Sequence, residues 1–309
     1  IKRASRNYNI GVIELPTFYM DFEAYNKNRF DYKSSSRDVK KMLRELDAAN
    51  IDGLILDLRG NGGGFLFEAY SLAKLFIGRG NVVQVMEANG TLQSLGHNLG
   101  QQNYDGPIVI LVDKLSASAS EILAGVIQDY DRGLVIGSQT FGKGTVQRMI
   151  ELSHGHLKFT EQKYYRVSGE STQNKGVEPD ITIPLVFNDE EIGERSYENS
   201  LPYNHIDPIF YRSFNKVENV DLLKTISSNR TNSNEMSIYI SSQQDFYENE
   251  KNNNVVPINV EKRKSMKFAR EAKILLMENT FRKSLNLDPF VTYDEFVNSD
   301  PEEISELRE

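Results

Sequence analysis

The stretch PIVILVDKLSASASEILAGVIQDY, residues 107–130, decides the fold. It opens with a short apolar run, PIVILVD (107–113), of the length of a buried strand. A turn rich in serine and alanine follows. Beyond it, Ile122, Leu123, Val126, Ile127 and Tyr130 fall on one face of a helix over 118–130. A buried strand feeding directly into a helix is a unit of layered α/β proteins.

Working outward, the neighbours repeat that unit. YNIGVIEL (8–15), GLILDLR (53–59) and VVQVM (82–86) read as strands. The polar segment YNKNRFDYKSSS (25–36) reads as a loop. Val39, Met42, Leu43 and Leu46 then recur at helical spacing, and 65–77 is apolar enough for a buried helix. Downstream, LVIG (134–137), VQRMIEL (146–152), HLKFTEQKYYRV (156–167) and DITIP (180–184) read as strands. Strands alternating with helices predict an α/β core over residues 1–190. After about residue 190 the chain turns polar and rich in Asn, Glu, Lys and Ser. KSMKFAREAKILLMENTFRKSL (264–285) predicts an amphipathic helix, and DPEEISELRE (300–309) a frayed acidic tail. Residues 191–309 are therefore expected to form a mainly helical second domain.

Composition bounds the function. A chain of 309 residues with net charge -8 repels nucleic acid and anionic membranes unless a local patch outweighs it. No apolar run approaches the length of a membrane span. There are no cysteines, which excludes disulfides, cysteine nucleophiles and cysteine-bound metals. The chain opens at Ile1 with neither Met nor an apolar leader, and reads as a processed or excised product.

Four features offer chemistry, each with a plain structural alternative. VIGSQTFGKGTVQ (135–147) begins like a phosphate-binding loop through Gly137, Gly142 and Lys143. That motif needs Ser or Thr directly after the lysine, and here Gly144 intervenes before Thr145. GNGGG (60–64) is either a tight turn or a place where bare backbone presents N–H groups to a ligand. The serines of KLSASASEI either cap a helix or place a hydroxyl beside the free N–H groups and positive pole of a helix start. A serine nucleophile needs a base. His97, His154, His156 and His205 all lie in polar contexts that read as surface, and H-x-H at 154–156 lacks a completing carboxylate. Lys143 is the remaining base candidate. An apolar neighbour, Phe141, and flanking glycines suit burial, which lowers an amine's pKa. The alternative is a solvated turn lysine.

Taken together, these segments resemble the tail-specific, C-terminal processing serine peptidases of family S41. The resemblance rests on DLRGNGGG (57–64), VDKLSASASEILAGVIQDYDRGLVIG (112–137), TFGKGTVQ (140–147) and YYRVSGESTQNKGVEPDI (164–181). It runs from about residue 8 to 185 and, more weakly, into the C-terminal helices, which are similar to the long-tailed branch found in bacterial envelopes. It implies a crotonase-like or Clp-protease-like α/β core followed by helices. By matching position it implies Ser118 as nucleophile, Lys143 as general base and Gln147 as the residue orienting that base. The N–H groups of Ala119 and of Gly64 or Gly63 would form the oxyanion hole, with Gly64 preferred. Asp129 and Glu121 stay open between helix support and catalysis. No metal or organic cofactor is implied.

The resemblance further implies protein substrates with apolar, loosely structured C-terminal tails, a periplasmic or envelope location, and an envelope adaptor as partner. The family usually carries a PDZ module before the core. No such pattern occurs here, and IKRASRN (1–7) is expected to be the stub after it. The rival readings are a catalytically silent peptide-binding scaffold or inactive fragment of such a protease, an acyl-thioester enzyme on the same fold, and a nucleotide hydrolase.

Overall fold

A computed structural model describes residues 2–3, 6–96, 102–183, 191–214, 217–253 and 255–299. His97, Pro184 and the acidic tail 300–309 lie outside the described residues, as does part of the 1–7 stub. The chain divides into two compact units. One comprises Ile1–Thr182 with Asp189–Asp221, the other Ile183–Asn188 with Leu222–Glu309.

The first unit opens with a small hairpin, β1 (Lys2–Arg3) and β2 (Arg6–Asn7), and strand β3 (Ile10–Glu14). Short α1 (Phe22–Asn26) leads to α2 (Ser35–Ala48), then β4 (Gly53–Asp57) and α3 (Leu66–Ile77). Strands β5 (Val83–Glu87), β6 (Leu92–Leu95) and β7 (Ile108–Val112) precede α4 (Ala119–Asp129). The unit continues through β8 (Leu134–Gly137), β9 (Thr145–Glu151), β10 (His156–Tyr165) and β11 (Ile181–Thr182). A parallel sheet of order β11-β8-β7-β4-β3 forms its centre, and an antiparallel sheet of order β6-β5-β10-β9 lies in the same unit. The expected α/β core is what forms.

Burial follows the sequence pattern. Leu54, Leu56, Ile110 and Val112 from the parallel strands are almost wholly enclosed. So are Leu72 and Phe76 of α3 and Leu123 and Ile127 of α4, two helices that pack on each other. Val39 and Leu43 of α2 join this core, but Met42 is 42% exposed, because it lies at the edge of the helix's apolar stripe. Strand β6 has no apolar alternation in its sequence and is recruited by pairing with β5.

Topology locates the functional region. β4, β7 and β8 are neighbours in the sheet, with Asp57 paired to Leu111 and Val112 to Gly137. The glycine turn, the serine turn and the lysine segment each leave the carboxyl end of one of these strands. Three turns far apart in sequence thus open on one edge, where open parallel sheets commonly place ligands.

The second unit is helical: α5 (Val220–Ser233), α6 (Glu235–Asn252), α7 (Val260–Ser284) and α8 (Tyr293–Val297). Tyr239 stacks on Phe281 with ring centroids 4.6 Å apart, and its hydroxyl donates to Glu278. Arg282 lies 4.1 Å above the Phe290 ring. Helix α7 buries Glu278, Phe281 and Arg282 near its end, while Met266, Phe268 and Leu276 remain exposed. No described helix is long and apolar enough to cross a membrane.

Candidate active site

The serine turn is stitched from both sides. Asp113 Oδ1 accepts from the backbone N–H groups of Gly60 at 3.0 Å, Leu115 at 2.9 Å and Ser116 at 3.0 Å. The Ser116 hydroxyl donates to the Leu58 carbonyl at 2.8 Å. The Asn61 carbonyl accepts from Ala117 N–H at 3.0 Å and from the Ser120 hydroxyl at 2.9 Å. These bonds hold the N-terminus of α4 against the glycine turn. Ser118 is the N-cap and adopts φ 56 and ψ -108. A β-carbon disfavours positive φ, so this backbone is held there by its surroundings. The conformation leaves the Ser118 side chain half-buried and lining a cleft.

The glycine turn faces that serine. At Gly63 (φ +99) a β-carbon would stand 2.9 Å from Ser118 Cβ, and at Gly64 (φ +149) 2.1 Å from the Phe18 carbonyl oxygen. Only glycine fits either place. The two N–H groups are used differently. That of Gly63 donates to Asn61 Oδ1 at 2.9 Å. Gly64 is bracketed by two backbone bonds, Phe18 N–H to the Gly63 carbonyl and Phe65 N–H to the Phe18 carbonyl. Among the described residues its own N–H has no acceptor, and neither has that of Ala119 at the first turn of α4. Gly64, Ala119 and Ser118 line the same cleft.

Lys143 reaches the cleft from the third turn. Its Nζ donates to Gln147 Oε1 at 3.2 Å, and no hydrogen bond joins it to Ser118 Oγ. Burial lowers its pKa below the usual lysine range, and the nearby Lys158 cation adds to this. The Glu194 and Glu121 carboxylates oppose both. The amine is half-buried and has no carboxylate in ion-pair range among the described residues.

Glu121 ties the serine and lysine segments together. It is fully buried. Its Oε2 accepts from Ser118 N–H at 2.7 Å and Lys143 N–H at 2.9 Å. Its Oε1 accepts from the Thr140 hydroxyl at 2.6 Å and Gly142 N–H at 2.7 Å. Burial pushes its carboxyl up to about 7, although the four donors favour the anion. Tyr164, also buried, adds a second tie. Its hydroxyl contacts the carbonyls of Lys143 and of Ser118, the latter at 3.2 Å.

Ser118, Ala119, Gly64, Lys143 and Gln147 thus share one cleft of about 520 Å³, walled by Phe65, Ile122 and Tyr164. Gly63 packs beneath Ser118 with its N–H already engaged. Asp129 lies elsewhere, at the far end of α4, where it pairs with Arg166 at 2.5 Å. His154, His156 and His205 are exposed. Sequence reasoning left Glu121 open and missed Tyr164 and Lys158. The Ser118-x-x-Glu121 spacing is that of a capping box, and it was the available signal for the first.

A serine turn, N–H groups without an acceptor among the described residues and a half-buried amine share one cleft of an α/β core, and comparison with known proteins gives the family. The chain belongs to peptidase family S41, whose model matches residues 9–183. A second model, the C-terminal domain of tail specific protease, matches residues 187–309. The tail-specific protease of Haemophilus influenzae is 40% identical over 222 residues, covering 69% of this chain and 30% of that protein. The carboxyl-terminal-processing protease of Synechocystis is 38% identical over 153 residues, covering 48% of this chain and 36% of that protein. The solved photosystem II D1 C-terminal processing protease aligns at a TM-score of 0.46 and 31% identity, over 59% of this chain and 45% of that one. The chain spans about a third of the length of these two curated relatives.

Proposed function

We propose that this chain is the catalytic core and C-terminal region of a tail-specific serine endopeptidase working through Ser118 and Lys143. The observation that carries the reading is their shared cleft. Ser118 lines it together with Gly64, Ala119 and Lys143, whose amine burial holds below the usual lysine pKa range. Neutral Lys143 takes the Ser118 proton as Oγ attacks a peptide carbonyl. Gln147 orients the amine. The oxyanion accepts from Gly64 and Ala119, two cleft N–H groups without an acceptor among the described residues. Lys143 then gives its proton to the leaving amine, and water, deprotonated by the same lysine, cleaves the serine ester. A neutral Lys143 amine can keep donating to Gln147 Oε1 while its lone pair accepts from the Ser118 hydroxyl. Catalytic bonds often tighten only around substrate.

The resemblance read from the sequence extends the proposal to whole-protein properties: protein substrates with apolar, unstructured C-termini, a PDZ module and an adaptor elsewhere in the full protein, and the bacterial periplasm or envelope. A second reading, a peptide-binding scaffold with an idle site, draws support from the absence of a direct Ser118–Lys143 bond. Cleavage of an unfolded reporter protein with an apolar C-terminal tail separates the two. Ser118→Ala is expected to lose activity by about 10³-fold or more while keeping its thermal unfolding curve. Undiminished cleavage by that variant would exclude Ser118 as nucleophile.

A further inference from the structure

Lys158 stands in the same cleft, on the strand next to the one that carries Gln147. In the β9–β10 ladder Thr160 pairs with Gln147 and Lys158 with Met149. Side chains alternate along a strand, so Lys158, Thr160, Gln147 and Met149 share one face. Lys158 is the diagonal neighbour of Gln147, a separation of about 7–8 Å in antiparallel sheets. Gln147 is the residue that holds the Lys143 amine. The hairpin therefore presents a second cation beside the first.

That cation is not neutralised by its own strands. Glu161 is occupied by Arg148 at 3.0 Å, and Glu151 is paired across the ladder with His156. Among the described residues no carboxylate forms an ion pair with Lys158. The other ionisable groups acting on Lys143 come from three places. Glu121 of α4 and Glu194 of the segment after β11 both favour its ammonium form, and Tyr164 of β10 touches its carbonyl. Lys158 is the one cation of this set, and it opposes both carboxylates. A neighbouring cationic group is one of the established ways for proteins to keep a lysine amine neutral and reactive.

We propose that Lys158 is a positioning residue for the Ser118–Lys143 pair, a fixed positive charge that disfavours protonation of the base. The inference rests on the reading of Lys143 as that base. Lys158 is exposed, so its effect is partly screened and salt-sensitive. This gives it a signature that a packing role lacks.

The test is the pH profile of kcat/KM for an unstructured fluorogenic peptide with an Ala- and Leu-rich C-terminus. Wild type, Lys158→Gln and Lys158→Arg are compared at low salt and at about 0.5 M NaCl. Lys158→Gln should move the acid limb to higher pH, cutting activity about two- to fourfold at pH 7 and leaving the alkaline plateau unchanged. Lys158→Arg should restore the limb. High salt should move the wild-type limb in the same direction and leave that of Lys158→Gln in place. A parallel readout independent of turnover is the NMR titration of the Lys143 side chain in lysine-labelled protein, assigned with Lys143→Arg. Its midpoint should rise in Lys158→Gln. An unmoved midpoint, or a lower plateau with an unmoved limb, would overturn the role of Lys158 and leave the base intact. A wild-type enzyme with no acid limb, or a fully active Lys143→Arg, would overturn the base itself and this inference with it.

Discussion

The turn that carries Ser118 and the hairpin that carries Gln147 and Lys158 meet at one cleft, yet they are built in opposite ways. Around the turn, Asn61, Ser116, Ser120 and Glu121 are wholly buried, and each is hydrogen-bonded across segments distant in sequence. On the hairpin, Gln147, Arg148 and Lys158 are exposed, and Met149 is 62% exposed. Nucleophile and oxyanion donors must be placed to within a fraction of an ångström, which only a packed, satisfied network can enforce. Orientation and charge tuning act over longer distances and tolerate a solvated strand. The difference separates what must be rigid from what has only to be near.

Substitutions on the two sides should therefore differ in size and kind. After loss of the Ser118 hydroxyl itself, the largest effect is expected at the buried tie. Glu121→Gln replaces one of two acceptor oxygens with an NH₂ group facing N–H donors, and buried unmatched groups cost about 1–3 kcal/mol each. A loss of roughly 10² in kcat/KM is expected as the serine and lysine segments shift apart, together with a lower Tm. The pH dependence of that Tm difference gives the sign. The folded carboxyl is raised from 4.5 to about 7, so the stability it contributes is full below pH 4.5 and fades as pH rises through 7. The Tm deficit of Glu121→Gln should narrow across that interval, and a deficit that widens would contradict the raised value. Gln147→Ala should be milder. Removing one exposed hydrogen bond to the amine should lower kcat about 5–10-fold with unchanged Tm, measured on the same peptide. A Gln147→Ala defect as large as that of Glu121→Gln, or accompanied by unfolding, would erase the contrast between turn and hairpin.

Much of the fold was legible because its signals are local. The apolar runs at 53–59 and 107–113 and the helical faces at 39–46 and 118–130 became the elements they predict. Strand β6 was not legible, because pairing with β5 rather than its own pattern makes it a strand. Residues 191–214 read as polar and featureless, yet Glu194, Ile206 and Phe214 donate backbone bonds to Phe141, Gly169 and Tyr130 of the core. The candidate site was legible as residue types in motif order. Which of the Gly63 and Gly64 N–H groups is already bonded within the protein was not, because that is a fact of three-dimensional contact. Tyr164 and Lys158 escaped for the same reason. Each lies on β10, and only the fold of that strand brings it to Lys143.

The central claim is that a neutral Lys143 activates Ser118, and covalent labelling tests it without a natural substrate. A fluorophosphonate probe is reacted with wild type and Lys143→Arg from about pH 5 to 9, and the modified residue and its rate are read by mass spectrometry. Modification of Ser118 that slows toward acid pH in the wild type and is lost in Lys143→Arg, whose guanidinium stays protonated, is the expected result. Modification of another residue, or equal labelling of Ser118 in both proteins at every pH, would contradict it.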